Sequence, residues 1–368
     1  MAITPKQTGA HVAATFSIPF SRFIDATGDM VDPLPNFAQD RETLVSLYRA
    51  MVLTRVFDEK AVALQRTGRL GTYASSLGQE AVGVGVASAM KPEDVLLPSF
   101  RDQSAMLWRG VTMTELLLYW GGDERGSDFK GPREDFPVCI PVASQFPHAA
   151  GVALAMKLGR QPRVAVAIGG DGSTSKGDFY EALNIAGVWK LPVVFVINNN
   201  QWAISVSRNA QTAAETLAQK AVAAGIVGEQ VDGNDVIAVR AAVARALDRA
   251  RGGNGPMLIE ALTYRLSDHT TSDDARRYRT DAEVSAHWKA EPVARLRSFL
   301  ASQGHWGKQA ELELITKCRA EVDTAVDTYL ATAPAAATDM LDYLFARLPP
   351  AFEDQRAQLA RGAGGGNA

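Results

Sequence analysis

The sequence has few cysteines, little net charge and no long apolar run, and each lack excludes a class of protein. Cys139 and Cys318 are the only cysteines, which is too few for a disulfide framework or a zinc site and typical of a reducing compartment. The net charge of −3 argues against a surface for nucleic acid or anionic membrane. No apolar run is long enough to span a membrane, and segment 1–20 lacks the pattern of a secretory signal. We therefore expect a cytoplasmic protein without nucleic-acid or membrane partners.

The composition that remains is that of a folded globular chain. Of its 368 residues, 46% are hydrophobic and 21% are charged, which is ample for a large core. Segment 1–36 has no clear period and is predicted to be an extended arm. We predict an α/β domain over 37–300, helices over 301–358 and a disordered, low-complexity tail over 359–368.

One stretch, Arg163–Ser205, organises the prediction. Segments 163–168 and 193–197 are short apolar runs without alternation, which is typical of strands buried on both faces of a parallel sheet. Between them, Asp178–Lys190 has one apolar stripe that predicts a helix, formed by Phe179, Leu183, Ala186 and Val188. A βαβ unit places the loops after its two strands at the same edge of the sheet, where such sheets bind ligands.

These two loops carry oxygen donors beside glycines. Asp171 stands between Gly170 and Gly172, and Asn199 and Asn200 follow the second strand. Hard oxygen donors suit Mg²⁺, and the glycines let the backbone approach a diphosphate. The lysine of a P-loop is missing and the third glycine of a dinucleotide-binding fingerprint is misplaced, so both common phosphate motifs are excluded. The other reading of these residues is an ordinary glycine-rich turn.

Further helices and strands are predicted from the spacing of apolar residues and from the glycines and prolines that end each segment. Gly83 and Gly85 lie inside a predicted helix, so we expect that helix to approach another closely. Helices are predicted over 41–67, 78–90, 147–158, 212–224, from 236 to 251, from 293 to 300, 309–331 and 340–348, and strands over 95–97 and 256–264.

Four motifs in order resemble the α subunit of the E1 component of 2-oxo acid dehydrogenase complexes. They are GDG at 170–172, EALN at 181–184, LP at 191–192 and NN at 199–200, and the resemblance extends from about 44 to about 348. It implies a thiamine diphosphate-binding α/β fold with a mostly parallel central sheet, helices on both faces and a helical C-terminal segment.

The resemblance also implies the site residues. Asp171, Asn200 and the backbone carbonyl of Trp202 are expected to ligate Mg²⁺, and His269 to act in catalysis. The residues expected to bind thiamine diphosphate are Phe100, Arg101, Val142, Gly170, Asp171, Gly172, Ser173, Asn200, Trp202, Ala203, Ile204, Arg265 and His269. Phe100 replaces the tyrosine of the family, and Val142 is smaller than the usual leucine or isoleucine.

The active-site loop 265–279 has little apolar content. We expect it to be mobile without cofactor and ordered with it, the alternative being a loop held permanently by its own ion pairs.

The activity implied is decarboxylation of pyruvate followed by reductive acylation of the lipoyl group of an E2 core. An E1 β subunit would complete an α2β2 heterotetramer, so this chain alone is expected to be inactive. Branched-chain 2-oxo acids and acetoin are alternative substrates, and a paralogue that binds a β chain without catalysis is the non-enzymatic alternative.

Overall fold

A computed structural model of the chain describes residues 12–362. Within that range one sheet contains six strands, in the order β1-β7-β8-β4-β3-β2, and every neighbouring pair is parallel. A two-stranded antiparallel ribbon, β5–β6, lies beside it. The bounds are β1 Phe20–Ser21, β2 Val95–Leu97, β3 Ala165–Gly170, β4 Val193–Asn199, β5 Trp202–Ala203, β6 Val206–Ser207, β7 Val227–Asp232 and β8 Met257–Leu262. The predicted α/β class with a parallel central sheet is confirmed.

Helices cover both faces of this sheet. Their bounds are α1 Arg41–Arg66, α2 Glu80–Ala89, α3 Gln103–Arg109, α4 Met113–Trp120, α5 Gln145–Leu158, α6 Gly177–Val188, α7 Arg208–Gln211, α8 Lys220–Ala223, α9 Val236–Arg251, α10 Asp281–Trp288, α11 Pro292–Ser302, α12 Lys308–Ala331, α13 Asp339–Asp342 and α14 Glu353–Gly362. One core joins α5 and α6 to the sheet, and a second joins α2 and α9 to the opposite face. No helix between residues 12 and 362 has the length and apolar character to cross a membrane.

The central βαβ unit forms as the sequence predicts. Strand β3 pairs in parallel with β4, from Ala165 opposite Val193 to Gly170 opposite Asn198. Both apolar runs are fully buried, because helices cover both faces of these strands. The predicted apolar stripe on α6 is wrong for Val188, the last residue of the helix, which is 70% exposed.

The two glycines of α2 allow the predicted close helix packing. A Cβ atom at Gly83 would lie 2.0 Å from Ser104 Oγ and 2.8 Å from the backbone nitrogen of Ala105 on α3. A Cβ atom at Gly85 would lie 2.7 Å from Val239 Cγ1 on α9. Helix α2 is therefore wedged between two helices at distances that only glycine permits.

A Gly83→Ala substitution is expected to destabilise the fold by about 2 kcal/mol, because backbone atoms of α3 would have to move. The matched control is Gly151→Ala on α5, where a Cβ atom would meet nothing within 4 Å. Helix propensity alone predicts that this control gains up to about 1 kcal/mol. Thermal unfolding of the two purified variants measures the difference, and equal midpoints would contradict the packing argument.

The segment between β6 and β7 departs from prediction. The predicted helix over 212–224 is wrong except for α8, because tertiary contacts hold the backbone of residues 214–218 in another shape. The Arg208 guanidinium donates to the carbonyls of Ala214 and Glu215, and Ala218 N donates to Glu260 Oε2 over 2.9 Å. Strand β7 was not predicted, since its polar residues interrupt the apolar run that marks the other strands.

Both ends of the chain pack more than the sequence suggests. In the predicted arm, β1 adds to the sheet beside β7, Ile24 is fully buried and its amide donates to Asp235 Oδ2 over 2.9 Å. At the other end, only α13 forms within the predicted helix 340–348, since Tyr343 and Leu344 find no packing surface. Helix α14 extends into the segment predicted as a disordered tail, and residues 363–368 lie outside the described range. The division into arm, α/β domain and C-terminal helices remains a prediction.

Candidate active site

The loops that follow β2, β3 and β4, together with a loop after β8, enclose a cavity of about 720 Å³. This is the edge at which parallel sheets bind ligands. Twelve of the predicted site residues line the cavity, namely Phe100, Arg101, Val142, Gly170, Asp171, Gly172, Ser173, Asn200, Trp202, Ala203, Ile204 and His269. The thirteenth, Arg265, is not among the lining residues.

The loop after β3 presents a buried carboxylate. Asp171 begins a 3₁₀ turn and is 2% exposed, and burial raises the pKa of its carboxyl group. Its Oδ2 accepts a hydrogen bond of 2.6 Å from Gln211 Nε2. A Cβ atom at Gly172 would lie 2.7 Å from the Ala203 Cβ, whereas one at Gly170 would meet nothing within 4 Å. The lack of a side chain at Gly172 thus lets the loops after β3 and β4 touch, and at Gly170 there is free space beside the backbone.

The loop after β4 presents an amide oxygen. Asn200 is buried, its Oδ1 accepts from Trp202 N over 3.2 Å, and its Nδ2 donates to Gln79 Oε1 over 2.9 Å. Gln201 and Ile204 have left-handed φ values of 73° and 56°, and the loop turns back on itself between them. Trp202, Ala203 and Ile204 of this turn line the cavity.

Arg101 follows β2 and is 6% exposed. Its guanidinium donates to the Ser75 carbonyl and, over 2.8 Å, to the His269 carbonyl. Burial, followed by the nearby Arg265 charge, lowers the pKa of Arg101 to about 10. Arg101 therefore stays charged at neutral pH while it holds the loop that carries His269.

Arg265 is fully buried behind the cavity wall. Its guanidinium donates to the Trp202 carbonyl over 3.0 Å, to the Ile204 carbonyl over 2.8 Å and to Tyr278 Oη over 2.8 Å. A carbonyl oxygen has two lone pairs, so Trp202 retains one acceptor position. In this structure Arg265 supports the loop after β4, and its predicted direct contact with phosphate remains a prediction.

Arg101 and Arg265, which both contact His269, have no carboxylate partner in the described part of the chain. Arg279 is likewise buried and donates only to backbone carbonyls, but it lines a different pocket. Arg55, Arg109, Arg251 and Arg295 each pair with a carboxylate. Arg101 and Arg265 form no ion pair with any carboxylate among residues 12–362, and both donate instead to neutral oxygens. Two buried cations without anionic partners, beside a cavity, indicate a site for an anion.

His269 lies between these two guanidinium groups. Its Nδ1 is 3.2 Å from an Arg101 nitrogen and 3.3 Å from an Arg265 nitrogen, so Nδ1 is the acceptor and the ring proton lies on Nε2. Burial and then the charges of Arg101 and Arg265 lower the pKa of His269 to about 4. The imidazole is therefore neutral at pH 7 without an anion nearby, and it stays neutral at pH values where an ordinary histidine is protonated.

Loop 265–279 makes many contacts of its own. His269 N donates to Asp273 Oδ2 over 3.0 Å, and Thr271 N donates to the Tyr73 carbonyl over 2.9 Å. The Arg279 guanidinium donates to the carbonyls of residues 265–267. These contacts are hydrogen bonds, whereas the ion pairs of the alternative are limited, among the described residues of this loop, to Arg276 with Asp274. The mobility of the loop without cofactor remains a prediction.

Two glutamines of the site were missed by the sequence reasoning. Gln79 follows Gly78, whose φ of 87° turns the chain into α2, and the GQEA segment that contains it offered a signal. Gln211 lies at the end of α7, immediately before the segment 212–224 that was predicted as a helix, and nothing in the sequence marks it. Each contacts one of the two predicted side-chain ligands of the metal.

The residues present fit a diphosphate with its metal ion. One carboxylate, one amide oxygen and one backbone carbonyl form the set of hard oxygen donors that Mg²⁺ prefers. Gln79 Nε2 is buried and has no hydrogen-bond partner among the described residues, which leaves a donor for a ligand oxygen.

The comparisons with known proteins agree with this geometry. The model of the family described as dehydrogenase E1 component matches residues 48–336. The chain is 40% identical over 337 residues to the pyruvate dehydrogenase E1 component subunit alpha of Mycoplasma genitalium, covering 92% of this chain and 94% of the relative. It is also 40% identical over 337 residues to the protein of that name from Staphylococcus aureus, covering 91% and 90%. The chain belongs to the dehydrogenase E1 component family.

Proposed function

We propose that this chain is the α subunit of a pyruvate dehydrogenase E1 that uses thiamine diphosphate and Mg²⁺. The observation that carries the proposal is the pair of buried arginines without carboxylate partners, beside the cavity lined by Asp171 and Asn200. A dianionic ligand with a bound cation complements both the unpaired positive charge and the oxygen donors. The names and the length of the matches to the bacterial relatives support the same function.

Each residue has a distinct task in this proposal. Asp171, Asn200 and the Trp202 carbonyl hold the metal, Arg101 holds the diphosphate, and Val142, which is 49% exposed, supports the thiazolium ring. Thiamine diphosphate supplies the nucleophile and the electron sink for decarboxylation. The chain binds and orients that group through the two loops of its βαβ unit.

His269 is the proposed proton donor for reductive acylation. Breaking the lipoyl disulfide yields a thiolate sulfur, which requires a proton, while the other sulfur receives the acyl group. The rings of Phe100 and His269 pack edge-to-face with their centroids 5.9 Å apart. The backbone amide of His269 donates to the Asp273 carboxylate. The imidazole is thereby held at the cavity wall. It would act as the donor in its imidazolium form, which an anion beside Arg101 and Arg265 favours.

The proposal includes partners for the finished enzyme. We propose that an E1 β subunit completes the site in an α2β2 heterotetramer and that an E2 lipoyl acyltransferase accepts the acyl group. The naming of the relatives as an alpha subunit supports a partner subunit. The bacterial relatives and the two free cysteines support a cytoplasmic location.

Pyruvate is the proposed substrate, and the branched-chain 2-oxo acids and acetoin are the competing ones. The names of the relatives favour pyruvate. The test is co-expression with candidate β subunits, followed by two assays. One measures decarboxylation of pyruvate and of branched-chain 2-oxo acids, and the other measures cleavage of acetoin. Highest kcat/KM on pyruvate supports the proposal, higher kcat/KM on another substrate overturns the choice of pyruvate, and no turnover with any β chain supports a non-catalytic paralogue.

A further inference from the structure

Two glutamines from separate segments each contact one proposed metal ligand. Gln211, at the end of α7, donates to Asp171 Oδ2 over 2.6 Å. Gln79, immediately before α2, accepts from Asn200 Nδ2 over 2.9 Å. The backbone on either side of these two loops is already paired, in β3 with β4 and in β5 with β6.

The hydrogen bonds around Asn200 determine the orientation of two side-chain amides, those of Asn200 and Gln79. Trp202 N is a donor, so the atom of Asn200 that it contacts at 3.2 Å is the oxygen Oδ1. The Asn200 amino group then faces Gln79, and the atom of Gln79 that meets it is the oxygen Oε1. A flipped Gln79 would place two amino groups against each other, so its orientation is fixed by the chain of contacts.

This series of hydrogen bonds ends at a donor that has no partner among the described residues, Gln79 Nε2. Gln79 is 2% exposed and lines the cavity. Buried polar atoms are almost always paired in folded proteins, and the exceptions mark functional contacts. An acceptor oxygen that enters the cavity would complete the series.

The contact at Asp171 has the same effect on the other ligand. Gln211 occupies Oδ2, whereas Oδ1 has no hydrogen bond from another side chain of the described residues. Gln211 is thus the one side chain that restrains the rotation of the carboxylate among the described residues, together with the backbone amides of Asp171 and Asn200. Partners that orient a metal ligand in this way commonly change metal affinity by 10- to 100-fold when they are removed.

We propose that Gln211 and Gln79 are the positioning residues of the metal site, and that Gln79 Nε2 also donates to an oxygen of the bound diphosphate. The inference rests on the proposed function, since it assumes that the cavity takes a metal–diphosphate pair. It assigns the two roles of Gln79 to different atoms, which makes them separable by substitution.

The test uses the co-expressed α–β assembly with Mn²⁺ in place of Mg²⁺. Titration of Mn²⁺ in the presence of thiamine diphosphate, followed by the electron paramagnetic resonance signal of the free ion, gives the metal dissociation constant directly. Gln211→Met and Gln79→Met keep chain length but remove the hydrogen bonds, and each is expected to raise this constant 10- to 100-fold. Gln309→Met on the exposed side of α12 is the control and is expected to leave it unchanged.

Gln79→Glu separates the two roles. The carboxylate still accepts from Asn200, but it offers no donor to the diphosphate. The variant is therefore expected to bind thiamine diphosphate more weakly than wild type, while the metal constant changes less than in Gln79→Met. Equal diphosphate affinity for Gln79→Glu and wild type overturns the donor role.

Folding and function are kept apart by two further readouts. A merely structural role would lower the thermal midpoint without changing the metal constant, and that result overturns the proposal. Gln211 is partly exposed, so its variant keeps the test valid where a Gln79 variant fails to assemble. A wild-type assembly that binds no Mn²⁺ contradicts the proposed function itself, whereas wild-type binding with unaltered variants overturns only the positioning role.

Discussion

We expect the Asp171→Ala variant of the α–β assembly to lose Mg²⁺-dependent binding of thiamine diphosphate by roughly 10³-fold, which corresponds to about 4 kcal/mol. Asp171 supplies the only carboxylate of the proposed ligand set, so its removal takes away the anionic donor for a hard cation. The fold is expected to survive, because burial raises the pKa of this carboxyl group and the ligand-free protein gains little from its charge. Titration calorimetry with and without Mg²⁺ measures the loss.

The matched control for Asp171→Ala is Asp248→Ala. Asp248 is an exposed carboxylate on α9 and does not line the cavity. The Asp248→Ala variant is expected to bind thiamine diphosphate with wild-type affinity. An Asp171→Ala protein that binds as tightly as this control would contradict the metal assignment.

The second large effect is expected at His269. The His269→Ala variant should decarboxylate pyruvate with an artificial electron acceptor at close to the wild-type rate. Its transfer of the acyl group to a lipoyl domain should fall by roughly 10² to 10⁴, the usual contribution of a positioned general acid. The two assays on one preparation separate the proton donor from a residue that only binds cofactor.

The pKa of His269 adds a pH dependence to this prediction. Without an anion its pKa is about 4, depressed by burial and by Arg101 and Arg265. The neutral imidazole is favoured in the folded protein, so His269 stabilises the ligand-free fold above about pH 6.5 and this stabilisation is lost as pH falls towards 4. An anion beside the two arginines opposes their charge and moves the pKa back towards about 6.5. Acyl transfer should therefore decline as pH rises through that range in wild type.

His305→Ala serves as the control, since His305 does not line the cavity. Both of its activities are expected to match wild type. Should His269→Ala lose decarboxylation and acyl transfer in the same proportion, together with cofactor affinity, His269 is a cofactor-binding residue and the proton-donor role is wrong.

The βαβ unit was predictable because its signals are local. Apolar runs at 165–168 and 193–197 and the stripe on α6 reflect burial by immediate neighbours, and parallel pairing then places Asp171 and Asn200 on one edge. The remaining lining residues came from the family resemblance, and the structure brings them around the same cavity.

The parts that the sequence did not reveal depend on distant contacts. Gln211 contacts Asp171 from α7, and residues 214–218, which follow it, are held out of a helix by Arg208 and Glu260. The sequence places Arg265 in the active-site loop, and only the fold shows that the carbonyls of Trp202 and Ile204 hold its guanidinium behind the cavity wall. The depressed pKa of His269 follows from burial and then from two arginines, one of which lies 168 residues away in sequence. No local pattern encodes these relations.

We propose that this chain provides the metal and diphosphate half of a thiamine diphosphate site. Calorimetric titration of thiamine diphosphate into the wild-type α–β assembly, with Mg²⁺ and then with a chelator, tests this role. One site per α chain is expected in the presence of Mg²⁺, with a large loss of affinity in the chelator. Tight binding that is indifferent to Mg²⁺, or no binding by an intact assembly, would contradict this role.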